Sequence, residues 1–325
     1  MRLEYQILAA FALDLLLGDP RWLPHPVKLI GRFAAVLEAP LRRSIPNARV
    51  AGVIAVAIVL GVTGSLAFAL MRCASTLHPV AGDVVSILLL YTAFAARDLD
   101  QHANAVYRAL VNNDLAQARQ RVSMIVGRDT AQLDEREIVR ATVESVAESL
   151  VDGVTAPLFF AVLGGPVGAM LYKAVNTLDS TFGYKDERYI KFGWASARLD
   201  DLANFLPARL TAPLVAIAAA LLGHNPVRSL RIWLRDGRKH ASPNAGLAEA
   251  AVAGALDVQL GGLNYYGGEP SEHPRMGDAL RPLERRDIAR ANTLMLTTAT
   301  LALIVFNCAR LAALELPRFC NGGHS

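Results

Sequence analysis

The sequence is short of charge. Asp, Glu, Lys and Arg make up only 19% of its 325 residues, against about 25% in an average soluble chain. Cysteine is scarce as well: Cys73, Cys308 and Cys320 lie far apart and form no C-x-x-C pair. That spacing excludes a zinc or dithiol motif and a small disulfide scaffold. Nucleotide-site signatures are missing, since neither G-x-x-x-x-G-K-[ST] nor G-x-G-x-x-G occurs. An H-E-x-x-H zinc pair and a G-x-S-x-G nucleophile turn are also absent. No basic stripe stands out, because 33 Lys and Arg face 29 Asp and Glu and both signs mix in every polar segment. This balance argues against a nucleic-acid partner. There is no internal repeat and no low-complexity tract.

What is present is apolar: 53% of the residues are hydrophobic and the mean hydropathy is +0.31. The apolar residues come in blocks. A helix crosses the hydrocarbon core with about 20 mostly apolar residues. Val50 to Met71, Gly153 to Tyr172 and Ala291 to Ala309 meet that length without one charge. Leu202 to Gly223 carries only Arg209, near its start, where a long side chain can reach the interface. Residues 3–17 and Val84 to Ala96 are shorter. The first of these holds Glu4 and Asp14 and no cleavage site follows, so it reads as a retained segment rather than a secretory signal. The expected fold is all-α: a polytopic integral membrane protein, one membrane-embedded domain over 1–325, with about five or six membrane helices and helical cytoplasmic loops.

Four long polar segments separate the blocks: 18–49, 97–152, 174–201 and 224–290. Segment 18–49 holds six Lys and Arg against two acids and 224–290 holds ten Lys and Arg, which places both on the cytoplasmic side. Segment 97–152 follows two crossings after 18–49 and falls on the same side. The side of 174–201 stays open, because Gly164-Gly165-Pro166 breaks the preceding apolar run and either a full span or a re-entrant helix fits. Segment 97–152 reads as helices, with Asp114 as one N-cap and Asp134 with Glu137 as a capping box for another. No stretch alternates as a strand.

Chemistry-bearing residues gather in the polar segments. Glu144, Glu148 and Asp152 stand at i, i+4 and i+8, either a solvated acidic face or a Mg²⁺ site, since hard cations take several oxygen ligands. Segment 174–201 adds Asn176, Asp179, Ser180, Lys185, Arg198, Asp200 and Asp201, with Lys173 closing the apolar run before it. Arg198 and Asp201 at i, i+3 are either a site pair or an internal salt bridge. Such residues near spans are costly unless they line a cavity. His25 sits between prolines in a stiff first loop, as a base, a phosphate contact or a surface histidine. The loops His240 to Gly246 and Gly261 to Gly268 have the small residues that let backbone N–H groups approach a phosphate.

At these residues the chain resembles the adenosylcobinamide-phosphate synthases, the CobD/CbiB family of cobalamin biosynthesis. The likeness rests on L-D-L-L-L-G-D-P-x-x-L-P-H-P-V from Leu13, A-A-R-D-L from Ala95, I-V-G-R-D-T-A-Q-L-D from Ile125 and V-E-S-V-A-E-S-L-V-D-G from Val143. It continues through N-T-L-D-S from Asn176, F-G-W-A-S-A-R-L-D-D-L-A-N from Phe192, S-P-N-A-G from Ser242 and L-G-G from Leu260. Ser149 and Thr181-Phe182 depart from the pattern, which has Asn and Met-Val there. The resemblance implies a Mg²⁺-dependent ligase of the bacterial inner membrane. Such a ligase joins adenosylcobyric acid to (R)-1-amino-2-propanol phosphate as an amide while ATP is split to ADP and phosphate. On that basis Glu144, Glu148, Asp152, Asp179 and Asp201 are candidate metal ligands. Arg128, Asn176, Ser242, Asn244 and Gly246 are candidates for binding ATP. His25, Asp129, Lys173 and Arg198 are candidates for catalysis. Other late cobalamin enzymes are implied as partners. The alternatives are a corrinoid-binding scaffold or transporter, and a lipid-alcohol phosphotransferase. The last lacks its D-G-x-x-A-R pattern, because Val154-Thr155-Ala156-Pro157 follows Asp152-Gly153.

Overall fold

The computed structural model describes residues 1–20, 25–184 and 186–321. Residues Arg21 to Pro24 of the first loop, and Lys185 of the 174–201 constellation, lie outside that description. The chain begins with helices α1 (Leu3–Leu17), α2 (Pro26–Ser44), α3 (Ala48–Leu77) and α4 (Pro79–Tyr91). Next come α5 (Ala96–Val111), α6 (Leu115–Val122) and α7 (Glu135–Leu150), and a π-helical turn, Val151–Thr155, leads into α8 (Ala156–Phe182). Helices α9 (Trp194–Ala203), α10 (Phe205–Leu221), α11 (Pro226–Asp236) and α12 (Ala245–Leu256) follow. An antiparallel hairpin of β1 (Leu260–Tyr266) and β2 (Glu269–Met276) precedes the last helix, α13 (Arg286–Asn321).

The protein is an all-α polytopic membrane protein. Among the described residues, four helical stretches are long and apolar enough to cross a membrane: Ala48–Leu77, Pro79–Val111, Glu135–Phe182 and Arg286–Glu315. Trp194–Ala203 with Phe205–Leu221 makes a fifth if the pair is one broken span. Helix α1 has 15 residues. The apolar block at 153–172 is broken where the residues indicated. Gly165 takes φ 61 and ψ −152 inside α8, next to Pro166. Proline has no N–H for the helical bond and its ring crowds the preceding turn, and only glycine enters that backbone region without strain.

The chain divides into two compact units, each made of separate sequence stretches. The first holds residues 1–95, 156–203 and 303–325. Its core packs Ile30 and Ala34 of α2, Ala51, Ala55 and Val59 of α3, and Met170, Ala174, Leu178 and Phe182 of α8 around Phe192. Gly52 makes the approach possible, because a Cβ there would stand 1.9 Å from the Phe192 carbonyl oxygen. Glu38, buried on α2, takes hydrogen bonds from Arg42 at 2.9 Å, from Arg188 at 3.1 Å and from the Tyr189 hydroxyl at 3.2 Å.

The second unit holds residues 96–155 and 204–302. Its core takes Ala103, Val106 and Leu110 from α5, Ile138, Val139, Val143 and Val146 from α7, and Ala251, Val252 and Ala255 from α12. The expected caps are present. Asp114 Oδ1 accepts from the Gln117 N–H at 2.9 Å, and Asp134 and Glu137 exchange both capping-box bonds at 2.8 Å. The hairpin was not foreseen. Its first strand, L-G-G-L-N-Y-Y, is interrupted by Gly261 and Gly262, and both have positive φ at a bulge against β2. Gly267 and Gly268 form the tip, again at positive φ, as a tight turn between right-twisted strands requires.

Candidate functional site

The second unit holds a half-open cavity of about 270 Å³. Its walls come from separate stretches of sequence: Ile125 to Arg128, then Ala141, Glu144, Ser145 and Glu148 of α7. His240, Glu249 of α12, and Gly261, Asn264, Tyr266 and His273 of the hairpin complete it. Helix α7 places its residues by period. Ile138, Val139, Thr142, Val143 and Val146 turn into the core, which leaves Glu144 and Glu148, four apart, on the row that faces the cavity.

Arg128 is the hub of this wall. Its side chain is 5% exposed. One terminal nitrogen meets Glu144 Oε2 at 2.6 Å and the other donates to Asn264 Oδ1, while Nε is buried without a partner. Glu144 Oε1 accepts the Gly261 N–H at 2.7 Å. Arg140 adds bonds to the Leu263 carbonyl at 2.8 Å and to Asn264 Oδ1 at 2.9 Å, and it also donates to the Gly261 carbonyl. Asp129 holds the far end of the hairpin. Its N–H donates to the Tyr265 carbonyl at 2.8 Å and its Oδ2 accepts from the Gly268 N–H at 2.7 Å. Thus Arg128, Asp129, Arg140 and Glu144 fasten β1 along its length. A second, larger cavity of about 710 Å³ lies beside Arg128, Asp129, Leu133, Tyr265 and Gly268.

Glu249 was not foreseen from the sequence. It is the one ionisable residue of α12, A-G-L-A-E-A-A-V-A-G-A-L, and only 6% exposed. Burial, and then the nearby Glu148 and Glu144 carboxylates, push its carboxyl well above the ordinary carboxylate range, against the pull of Arg128. An acid inside an otherwise apolar run was the signal available, but nothing in the sequence linked α12 to α7.

The other expected site residues fall differently. Asp152 lies in the π-helical turn and is not among the residues lining the cavity. A widened turn does not continue the four-residue stacking of an α-helix. Ser242 Oγ accepts from the N–H groups of Asn244 and Ala245 at 3.3 Å, so these two N–H groups start α12 rather than standing open to a phosphate. Asn244 Oδ1 accepts from Arg209 at 3.2 Å. Gly246 is needed for packing: a Cβ there would lie 2.6 Å from the His240 Cβ. The Ser242 N–H donates to His240 Nδ1 at 3.0 Å, which leaves the neutral ring its proton on Nε2.

His25, Lys173, Asn176, Asp179, Arg198 and Asp201 all belong to the first unit. His25 stands at the N-cap position of α2 without a side-chain capping bond, its Nε2 3.3 Å from Asp19. Lys173 is buried in α8, one turn before Asn176 and two before Asp179. Arg198 and Asp201 pair within α9 at 3.5 Å, which is the internal salt bridge. Among the described residues, no three His, Cys, Asp or Glu side chains are grouped to hold a metal ion. The five candidate metal ligands divide between the units, Glu144, Glu148 and Asp152 in one and Asp179 and Asp201 in the other.

The family described as "CobD/Cbib protein" matches residues 7–295. The chain belongs to the CobD/CbiB family. A cobalamin biosynthesis protein CobD of Geobacter metallireducens is 56% identical over 278 residues, 86% of this chain and 87% of that one. A CobD of Leptospira interrogans is 46% identical over 94% of this chain and 96% of its own length. A cobalamin biosynthesis protein CbiB of Salmonella typhi is 48% identical over 93% and 95%. No solved structure matches. Family membership places the chain in cobalamin biosynthesis. The family segments beginning at Ile125, Val143 and Leu260 meet around the 270 Å³ cavity.

Proposed function

We propose that the protein is an ATP-dependent amide ligase of the bacterial inner membrane, joining adenosylcobyric acid to (R)-1-amino-2-propanol phosphate to give adenosylcobinamide phosphate. The observation that carries this reading is the convergence of three family segments on one charged pocket, with Arg128 and Glu144 at its wall. A carboxylate is a poor acyl donor. The reaction therefore passes the γ-phosphoryl group of ATP to the propionate, and the amine then attacks the acyl phosphate, displacing phosphate. Positioning and charge neutralisation do most of the work in such a transfer.

Mg²⁺ fits this donor set when shared with phosphate, because it is commonly bound by one or two carboxylates plus substrate phosphates and waters. Glu148 is the proposed carboxylate at the cavity, while Asp152 in the π-helical turn does not line it. Glu144 already gives its two oxygens to Arg128 and Gly261. The metal's chemistry is to offset phosphate charge. Arg128 fixes the wall against which the substrates lie, and it keeps the hairpin closed through Asn264. Lys173 and Arg198 are proposed to neutralise phosphate charge. His25 and Asp129 are the candidates to take the ammonium proton, since only the free amine is a nucleophile.

The test is direct. Purified protein is incubated with adenosylcobyric acid, aminopropanol phosphate and Mg·ATP, and the corrinoid is followed by mass. An amide product with matching ADP supports the ligase. Corrinoid binding without product or ADP points instead to a scaffold or transporter. Glu148→Gln at saturating Mg²⁺ should lower turnover by about 10–100-fold, and wild-type activity would remove that carboxylate from the site.

A further inference from the structure

We propose that Glu249 is the docking point for the ammonium group of a small amine substrate inside the 270 Å³ cavity. The assignment rests on the ligase reading only for the identity of that amine. The geometry itself points to a cation. Glu249 is more than nine-tenths buried, lines the cavity, and belongs to a helix with no other ionisable residue. Among the described residues no hydrogen-bond donor or ion pair reaches its carboxylate. The charged form of a carboxyl in that position is costly unless a cation arrives.

The cavity's own charges do not meet this need. Arg128, the positive residue of the wall, spends its terminal nitrogens on Glu144 and Asn264. Glu144 is thereby paired, and neither terminal nitrogen is left for Glu249. A bare metal is the weaker match, because among the described residues no three acidic, histidine or cysteine side chains are grouped to hold one. A half-open volume of about 270 Å³ has room for a small amine. His240, His273 and Tyr266 line the same cavity and offer hydrogen-bonding groups to the polar remainder of such a molecule. The shared chemistry is a primary ammonium on a short chain, with or without a phosphate.

Calorimetry on the intact protein in detergent, with EDTA and no ATP, separates the possibilities. The ligands are (R)-1-amino-2-propanol phosphate, unphosphorylated 1-amino-2-propanol, and isopropyl phosphate, which lacks the amine. Glu249→Gln should weaken binding of at least one amine-bearing ligand about tenfold or more and leave isopropyl phosphate unchanged. Glu249→Asp keeps the charge and should fall between, which guards against a Gln variant that fails to fold. Mn²⁺ binding in the presence of ADP, followed by electron paramagnetic resonance, should not change in Glu249→Gln. Unaltered amine affinity in Glu249→Gln, lost Mn²⁺ binding with amine affinity retained, or no amine binding by the wild type would each overturn the assignment. The ligase reading fails separately, as amine binding without any amide product from the wild type.

Discussion

Arg128 shows how much one side chain decides here. Its guanidinium joins α7 to β1 by holding Glu144 and Asn264 at once, in a nearly water-free wall. Removing the cation leaves the half-buried Glu144 without its charged partner, and breaking a buried pair by deleting one partner costs about 3–5 kcal/mol. Arg128→Met should therefore destabilise the protein by an amount of that order. Faster amide hydrogen exchange through residues 260–276 would show that the loss is felt in the hairpin, and unchanged exchange there would deny Arg128 its fastening role. From the sequence, Arg128 was legible as a charged residue in a family segment. Its partner Asn264 lies 136 positions away, and no periodicity links residues that far apart.

At the scale of elements, α11 and the hairpin are tied by a second carboxylate. Asp236 is fully buried and accepts from Arg235 at 2.7 Å, from Lys239 at 2.6 Å and from the Gly277 N–H at 2.9 Å. Burial pushes its carboxyl up, but the hydrogen bonds from Arg235, Lys239 and Gly277 outweigh that and hold it well below the usual range. A depressed folded value stabilises the fold above the unfolded value, about 4, and the gain is lost as the pH falls through the folded value. Asp236→Asn should cost roughly 3 kcal/mol at pH 7. Chemical denaturation at stepped pH should show the gap to wild type narrowing below about pH 4. The kink in α8 belongs to this scale as well. A Cβ at Gly165 would meet only Leu3 side-chain carbons, at 3.8 Å. The cost of Gly165→Ala is then backbone strain, about 1–3 kcal/mol, and thermal unfolding in detergent measures it. The helices and caps were readable because their signals are local. The hairpin was not, since Gly261 and Gly262 interrupt its alternation and its pairing with β2 is fixed by Glu144 and Arg140.

At the scale of the whole molecule, the apolar surface sets the solvent. In Ala48–Leu77 the most apolar window has a mean hydropathy of 2.5, yet only 22% of it is buried inside the protein. The rest needs lipid or detergent, because exposing such a surface to water is unfavourable in proportion to its area. The protein should stay with the membrane fraction through an alkaline carbonate wash and leave it with detergent. Release by the wash alone would contradict a multi-pass anchor. Each unit is assembled from separate stretches of the chain, so neighbouring motifs in sequence can part. Asp152 and Lys173 are 21 residues apart, and the unit boundary falls between them.

The sequence by itself determined the membrane character, the helices, their caps, the break at Gly164-Gly165-Pro166 and the family. All of these depend on composition, period and near-neighbour spacing. Only the tertiary structure decided which charges share a cavity. It joined Glu249 to Glu144 and Glu148, turned a glycine-rich stretch into a hairpin held by Arg128, and engaged the N–H groups of Asn244 and Ala245 at the start of α12. The reason is physical. A buried charge must find its partners through space, and chain order does not state how far apart two residues will be once the core has packed.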